Sequence, residues 1–214
     1  MKIRNVFQLI VTACVILFAH EAYGQVYEQF LKAVEQGELK TIRELLDRGM
    51  DPNTSDQVGN TVLMTASRLG HLAAVSLLLE RKADPARRNP YGDTALMLAS
   101  LKGHLPVVKL LLDKGAQIAQ PGWTALHYAA FEGKAEVARL LLDKGAEKNA
   151  LAPNGYSPLM LASRGGHAET ARVLLHEDAA TGIKGPDGET ALAIARVRKD
   201  QAMVELLQRA GAVE

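Results

Sequence analysis

The amino-acid sequence predicts a mainly α-helical solenoid of six stacked helix-turn-helix units joined by β-hairpin-like loops. Three observations carry the prediction. A Gly-x-Thr-x-Leu signature (Ser157-Pro158-Leu159 in one copy) returns at Gly59, Gly92, Gly122, Gly155 and Gly188, with spacings of 33, 30, 33 and 33 residues. A leucine-rich run follows in phase at Leu77-Leu78-Leu79, Leu110-Leu111-Leu112, Leu140-Leu141-Leu142, Val173-Leu174-Leu175 and Leu206-Leu207. Small-residue turns, clearest at Gly115-Ala116 and Gly145-Ala146, close the units. Two registers locked together over five copies do not arise by chance.

The units fall at about 27–54, 56–88, 89–118, 119–151, 152–184 and 185–214. The first lacks the glycine signature but keeps Phe30, Leu31, Val34, Ile42, Leu45, Leu46 and Gly49 at the expected offsets, so it reads as an N-terminal cap. In each later unit a hydroxyl side chain (Thr61, Thr94, Thr124, Ser157, Thr190) precedes a short apolar run, where its oxygen can satisfy free amides of a helix N-terminus. That first helix ends at a corner glycine: Gly70, Gly103, Gly133 or Gly166. A second helix follows with apolar residues at helical spacing, as in Val107, Val108, Leu110, Leu111 and Leu112. Neither helix can bury its apolar face alone, so each pair must stack on the next. The last unit replaces the corner with Lys199-Asp200 and carries Arg196, Arg198 and Arg209, charge that suits an end no neighbour covers.

These segments resemble the ankyrin repeat, over Tyr27 to the C-terminus. The nearest single match is Gly122 to Ala146, with Thr124-Ala125-Leu126-His127-Tyr128-Ala129-Ala130, the leucine triplet and Gly145-Ala146. The resemblance implies a concave face lined by the first helices and the hairpin tips, where known partners dock. It also implies that His71, His104 and His167, one per unit behind the corner glycine, bond loop backbone, and that His127 has a structural hydrogen-bonding role.

Met1 to Gly24 differs from everything after it. Lys2 and Arg4 precede an apolar run of about 14 residues, Val6 to Ala19, and Ala22 and Gly24 offer a cleavage site before Gln25. This reads as a signal peptide, too short for a comfortable membrane span of roughly 20 residues. Two alternatives stay open: an uncleaved anchor, and acylation of Cys14 in Val11-Thr12-Ala13-Cys14, which the apolar Val15-Ile16-Leu17-Phe18 behind it disfavours. Cleavage would remove the only cysteine, leaving a mature chain with no disulfide and no thiol chemistry. The expected location is the periplasm, or outside the cell, with no stable membrane insertion of the mature chain.

Removing Lys2, Arg4 and Glu21 takes the formal charge from +1 to 0, with acids and bases interleaved. No nucleic-acid partner is expected, because a phosphate backbone wants a net basic stripe. The chain contains no Gly-x-Ser-x-Gly, no His-Glu-x-x-His and no phosphate-binding glycine loop. Histidines 33 or more residues apart do not make the close pairs that zinc sites use. Asp113 and Asp143, beside Lys114 and Lys144, read as a solvated face. The reading is non-catalytic, with no metal and no cofactor.

Carried over position by position, the resemblance places in the groove the side chains flanking each signature glycine and those just before each corner. They include Val58, Asn60, Arg68 and Leu69, then Tyr91, Asp93, Leu101 and Lys102, then Trp123, Phe131 and Glu132. Asn154, Tyr156 and Arg164 follow, then Asp187, Glu189, Val197 and Arg198. Four of the seven aromatics after Gly24 fall on these positions in three consecutive units. Buried aromatics and arginines dominate protein interfaces, so Arg68, Leu69, Tyr91, Leu101, Lys102, Trp123, Phe131, Tyr156 and Arg164 form the expected binding centre for a protein partner. Tyr91 and Tyr156, at hairpin-to-helix transitions, could instead pack between units, and Tyr128 is assigned to the core because its slot elsewhere holds Leu98, Leu161 and Ile194. The 30-residue spacing shortens the hairpin before Trp123, which predicts a lowered wall and an accessible indole. Among compact exported bacterial ankyrin proteins, the resemblance implies a role in protecting or assisting other envelope proteins. Two other readings stay open: a small-molecule or metal site in the groove with His127 as lining, and a secreted host-directed effector.

Overall fold

The computed structural model describes residues 24–213. The segment read as a signal peptide, Gly24 apart, lies outside the described residues. Twelve helices run through them: α1 over 24–36, α2 (Leu39–Asp47), α3 (Val62–Leu69), α4 (Leu72–Glu80), α5 (Ala95–Lys102), α6 (Leu105–Asp113), α7 (Ala125–Phe131), α8 (Ala135–Asp143), α9 (Pro158–Gly165), α10 (Ala168–His176), α11 (Ala191–Val197) and α12 (Gln201–Arg209). They form six antiparallel pairs in two rows, odd-numbered helices inside and even-numbered outside.

The sequence sets the start of every inner helix after α1 and the end of three of them. The hydroxyls of Thr61, Thr94, Thr124, Ser157 and Thr190 accept the amide three residues on at 3.2–3.4 Å. Such caps contribute about 1 kcal/mol each. At the far end Gly70, Gly103 and Gly166 turn into the left-handed region at φ 77°, 78° and 73°, returning their amides to the last turn. The corners interlock between units. The imidazole of His71 lies over Gly37, that of His104 over Gly70 and that of His167 over Gly133, so near that an added Cβ would sit 2.5–2.9 Å from the ring. Each ring's Nε2 bonds the carbonyl of Glu35, Arg68 or Phe131 in the preceding unit, at 2.9–3.0 Å. The repeated histidines are therefore fasteners between units, as the resemblance implied.

Inner helices pack closely on one another because Ala66-Ser67, Ala99-Ser100, Ala129-Ala130 and Ala162-Ser163 put small, fully buried residues at the contact. The outer helices touch their neighbours only lightly. Closer spacing on the inner side bends the stack toward that face. Along the outer row the middle leucine of each triplet (Leu78, Leu111, Leu141) is completely buried, and at least one flanking leucine of each triplet is only half-buried.

Among the described residues no strand forms. One isolated antiparallel bridge joins Ser55 and Thr61, so the loops are hairpin-shaped turns without a ladder. Four tips share one geometry: the amides of Asp56, Asn89, Ala152 and Gly185 bond the carbonyl four residues on, at 2.8–3.0 Å. The short connection before Trp123 lacks this bond among its described contacts.

Candidate partner-binding groove

In two units the residue after the signature glycine meets the side chain eight residues later, two turns up the inner helix. In the fourth unit these are Trp123 and Phe131, with ring centroids 6.3 Å apart and planes at 89°. In the fifth they are Tyr156 and Arg164, whose guanidinium lies 5.4 Å over the phenol ring. Two units with different chemistry show the same juxtaposition. The repeat therefore places Asn60 by Arg68, Asp93 by Leu101 and Glu189 by Val197 on the same face.

Trp123 is the centre of the aromatic group. Its ring also meets Tyr128 at 5.3 Å, tilted 36°, and His127 edge-on at 5.8 Å. The shortened hairpin does not lay the indole open as expected: Trp123 is half-buried, because Tyr128, His127 and Phe131 close around it. The exposed apolar surface lies beside it, at Phe131 (46% exposed) and Leu69 (38%). Tyr91 stands at the third hairpin tip, 78% exposed, and among the described residues no ring contact joins it to the cluster. Leu101 is half-buried, and Arg68, Lys102 and Arg164 are exposed.

Tyr128 departs from a purely core role. Its ring packs on the core, but its hydroxyl donates to Asp93 Oδ1 at 2.5 Å, crossing to the preceding unit. Burial, then the Asp93 carboxylate, raise its phenol well above the usual tyrosine range. The signal was present in the sequence: a hydroxyl in a slot held elsewhere by leucine or isoleucine must find a partner. The Tyr156 phenol faces Glu189 of the following unit, which raises the phenol and lowers the carboxyl. Asp93 continues into a hairpin network, since the Asn89 amide donates to Asn60 Oδ1 at 2.9 Å and to Asp93 at 3.4 Å.

His127 is buried and fully engaged. Its Nδ1 accepts the Thr124 amide at 3.1 Å and its Nε2 lies 2.9 Å from the Ala150 carbonyl. Both bonds are satisfied by one species, the neutral ring protonated on Nε2. Burial lowers its pKa, with the backbone bonds opposing. It is thus unavailable as a ligand or base. Among the described residues no three His, Cys, Asp or Glu side chains converge on a metal position. Cavities of about 270 and 640 Å³ open on the outer row, among Arg139, Asp143, Glu169 and Arg172 in one and Lys109, Glu136 and Arg139 in the other, away from the aromatic cluster. No helix among the described residues is long and apolar enough to cross a membrane.

The ankyrin-repeat family model (ankyrin repeats, 3 copies) matches residues 30–121, 85–152 and 144–213. No curated protein matches. Among solved structures the chain is similar to an ankyrin repeat domain from Acinetobacter baumannii, with 28% identity and a TM-score of 0.76 over 86% of this chain and 98% of that one. It is also similar to the human ASB11 ankyrin repeat domain, with 26% identity and a TM-score of 0.80 over 86% of this chain and 84% of that one. Ankyrin repeat domains are in general protein-interaction modules, and with a family model spanning nearly all the described residues, this chain belongs to the ankyrin repeat family.

Proposed function

We propose that this protein is a non-catalytic binding module, exported to the cell envelope, that captures a partner protein on its inner face around Trp123 and Phe131 and so protects or assists another envelope protein. The observation that carries the reading is the clustering of Trp123, Phe131 and Tyr128 at mid-array, with Phe131 and Leu69 leaving apolar surface uncovered. Central aromatic anchors of this kind account for most of the energy in protein interfaces. The hydrogen-bonding capacity of His127 is taken up by Thr124 and Ala150, so its imidazole is not offered to the groove. Export rests on Lys2, Arg4 and the apolar run Val6 to Ala19.

Affinity capture from an envelope extract, with the native chain and Trp123→Ala/Phe131→Ala side by side, tests the binding centre. A specific partner should be lost from the double variant, and weakened by Phe131→Ala alone, whose exposed ring can be removed with little change in melting temperature. A partner retained equally by both removes the cluster from the interface. N-terminal sequencing of protein from the cell envelope should begin at Gln25; protein confined to the cytoplasm and still starting at Met1 would end the export reading.

A further inference from the structure

The two edges of the inner face differ in how their charges are used. On the hairpin edge the carboxylates are mostly taken up internally. Asp56 accepts the amides of Val58 and Asn60, Asp93 accepts the Tyr128 hydroxyl, and Glu189 accepts the Asp187 amide. On the helix edge, the last two residues before each corner supply Arg68, Lys102, Arg164 and Arg198, all exposed. None of the four forms an ion pair among the described residues. Glu132 interrupts this row in the fourth unit, beside the aromatic cluster. The helix edge therefore presents a row of exposed cations with no ion-pair partner among the described residues, facing a hairpin edge whose carboxylates are held in place by neutral donors.

Resting on the groove reading above, we infer that the occupant is an extended acidic segment of a protein, with carboxylates set about three residues apart on both sides of one apolar anchor. The pitch follows from the fold. Packed helices sit about 8–10 Å apart, and an extended chain rises about 3.3 Å per residue, so three residues step about one unit. Two cations precede the Trp123/Phe131 pair and two follow it. Nucleic acid fits this row poorly, since a uniformly anionic backbone laid along it would meet the exposed Glu132 carboxylate at its centre.

The test is fluorescence anisotropy with a labelled synthetic peptide of about 13 residues, Glu at the first, fourth, tenth and thirteenth positions, Leu at the seventh and Ser or Gln elsewhere. It should bind at least about tenfold more tightly than the same peptide with four Lys, and weaken as salt rises. Arg68→Glu/Lys102→Glu, both exposed and checked by thermal melting, should lose about tenfold or more for the acidic peptide and gain for the basic one. No binding, or equal binding of the two peptides, overturns the inference. If equal binding is abolished by Trp123→Ala/Phe131→Ala, the groove stands and the charge preference falls. Acidic-peptide binding that the charge reversal abolishes but the aromatic double variant leaves intact would overturn the anchor and the groove centre together. An oligothymidine of equal length bound as tightly as the acidic peptide would also overturn it, as phosphate recognition.

Discussion

The third and fourth units (89–118 and 119–151) share a core and differ in everything around it. Both bury the middle leucine of their triplet, Leu111 and Leu141, and both cap the inner helix with threonine. The third keeps the regular hairpin, in which Asn89 ties Asn60 to Asp93, has Met97 behind its cap, and uses His104 to fasten the second unit's corner. The fourth has a hairpin three residues shorter, His127 in place of the methionine, and Lys134 in place of the fastening histidine. The repeat thus tolerates change wherever side chains face hairpins or solvent, and it is there that the fourth unit gathers its aromatic cluster.

The largest expected difference lies at the corners. Gly103 and Gly133 both sit at positive φ, 78° and 68°, so alanine at either incurs backbone strain of about 1–2 kcal/mol. What faces them is unlike: at Gly103 a new Cβ would meet the flexible Lys134 chain at 2.9 Å, at Gly133 the rigid His167 ring at 2.5 Å. Lys134 can swing aside. His167 can do so only by giving up its bond to the Phe131 carbonyl. Gly133→Ala should therefore cost about 3 kcal/mol in urea denaturation and Gly103→Ala roughly half of that. Equal costs would mean that backbone strain alone governs the corners.

The second test concerns His127. Its folded pKa is depressed by burial, so the folded state favours the neutral ring more than the unfolded chain does. Stability from this group is fully present above the unfolded value of about 6.5 and is lost as pH falls below it. Protonation would also point an Nδ1 proton at the Thr124 amide. His127→Met installs the residue of the third unit's slot, where Met97 sulfur lies 3.4 Å from the Thr94 amide. At pH about 7.5 the variant should lose about 1 kcal/mol with the Ala150 bond. Between pH about 7 and about 5 it should then lose less stability than the native chain. Parallel pH profiles would place the acid sensitivity elsewhere.

How much of this was legible in the sequence divides along the same line. The caps, the corner glycines, the middle leucines and the fastening histidines repeat at fixed offsets, and repetition exposed them before any coordinate was known. The packing of Trp123 was not legible, because it depends on three rings from one helix converging on a single side chain, and a short hairpin taken alone suggested exposure. The Tyr128–Asp93 bond and the facing of Tyr156 and Glu189 join neighbouring units about one repeat apart, where periodicity says which slots are near but not which pairs will interact. The cation row of the groove was hidden for the same reason: counting residues balances the charges, and only the fold shows that Arg68, Lys102, Arg164 and Arg198 gather on one edge without an ion-pair partner among the described residues.

The smallest expected effect tests what holds the fourth unit's short hairpin. In place of the usual tip bond, Arg88 at the end of the second unit reaches across to the Pro121 carbonyl at 3.4 Å and to the Gln120 side chain. Because Arg88 is exposed, Arg88→Ala should change global stability by less than about 0.5 kcal/mol. Local opening is another matter, since loops with few buried contacts fluctuate far below the global unfolding free energy. Amide exchange at Gln120, Gly122 and Trp123 should quicken severalfold while the equivalent third-unit tip, held by Asn89, stays unchanged, and acrylamide should quench Trp123 more readily than in the native chain. Unchanged exchange over 119–123 would mean that the short connection is rigid by its own geometry, and that the Arg88 contacts contribute nothing to the floor of the fourth unit's groove.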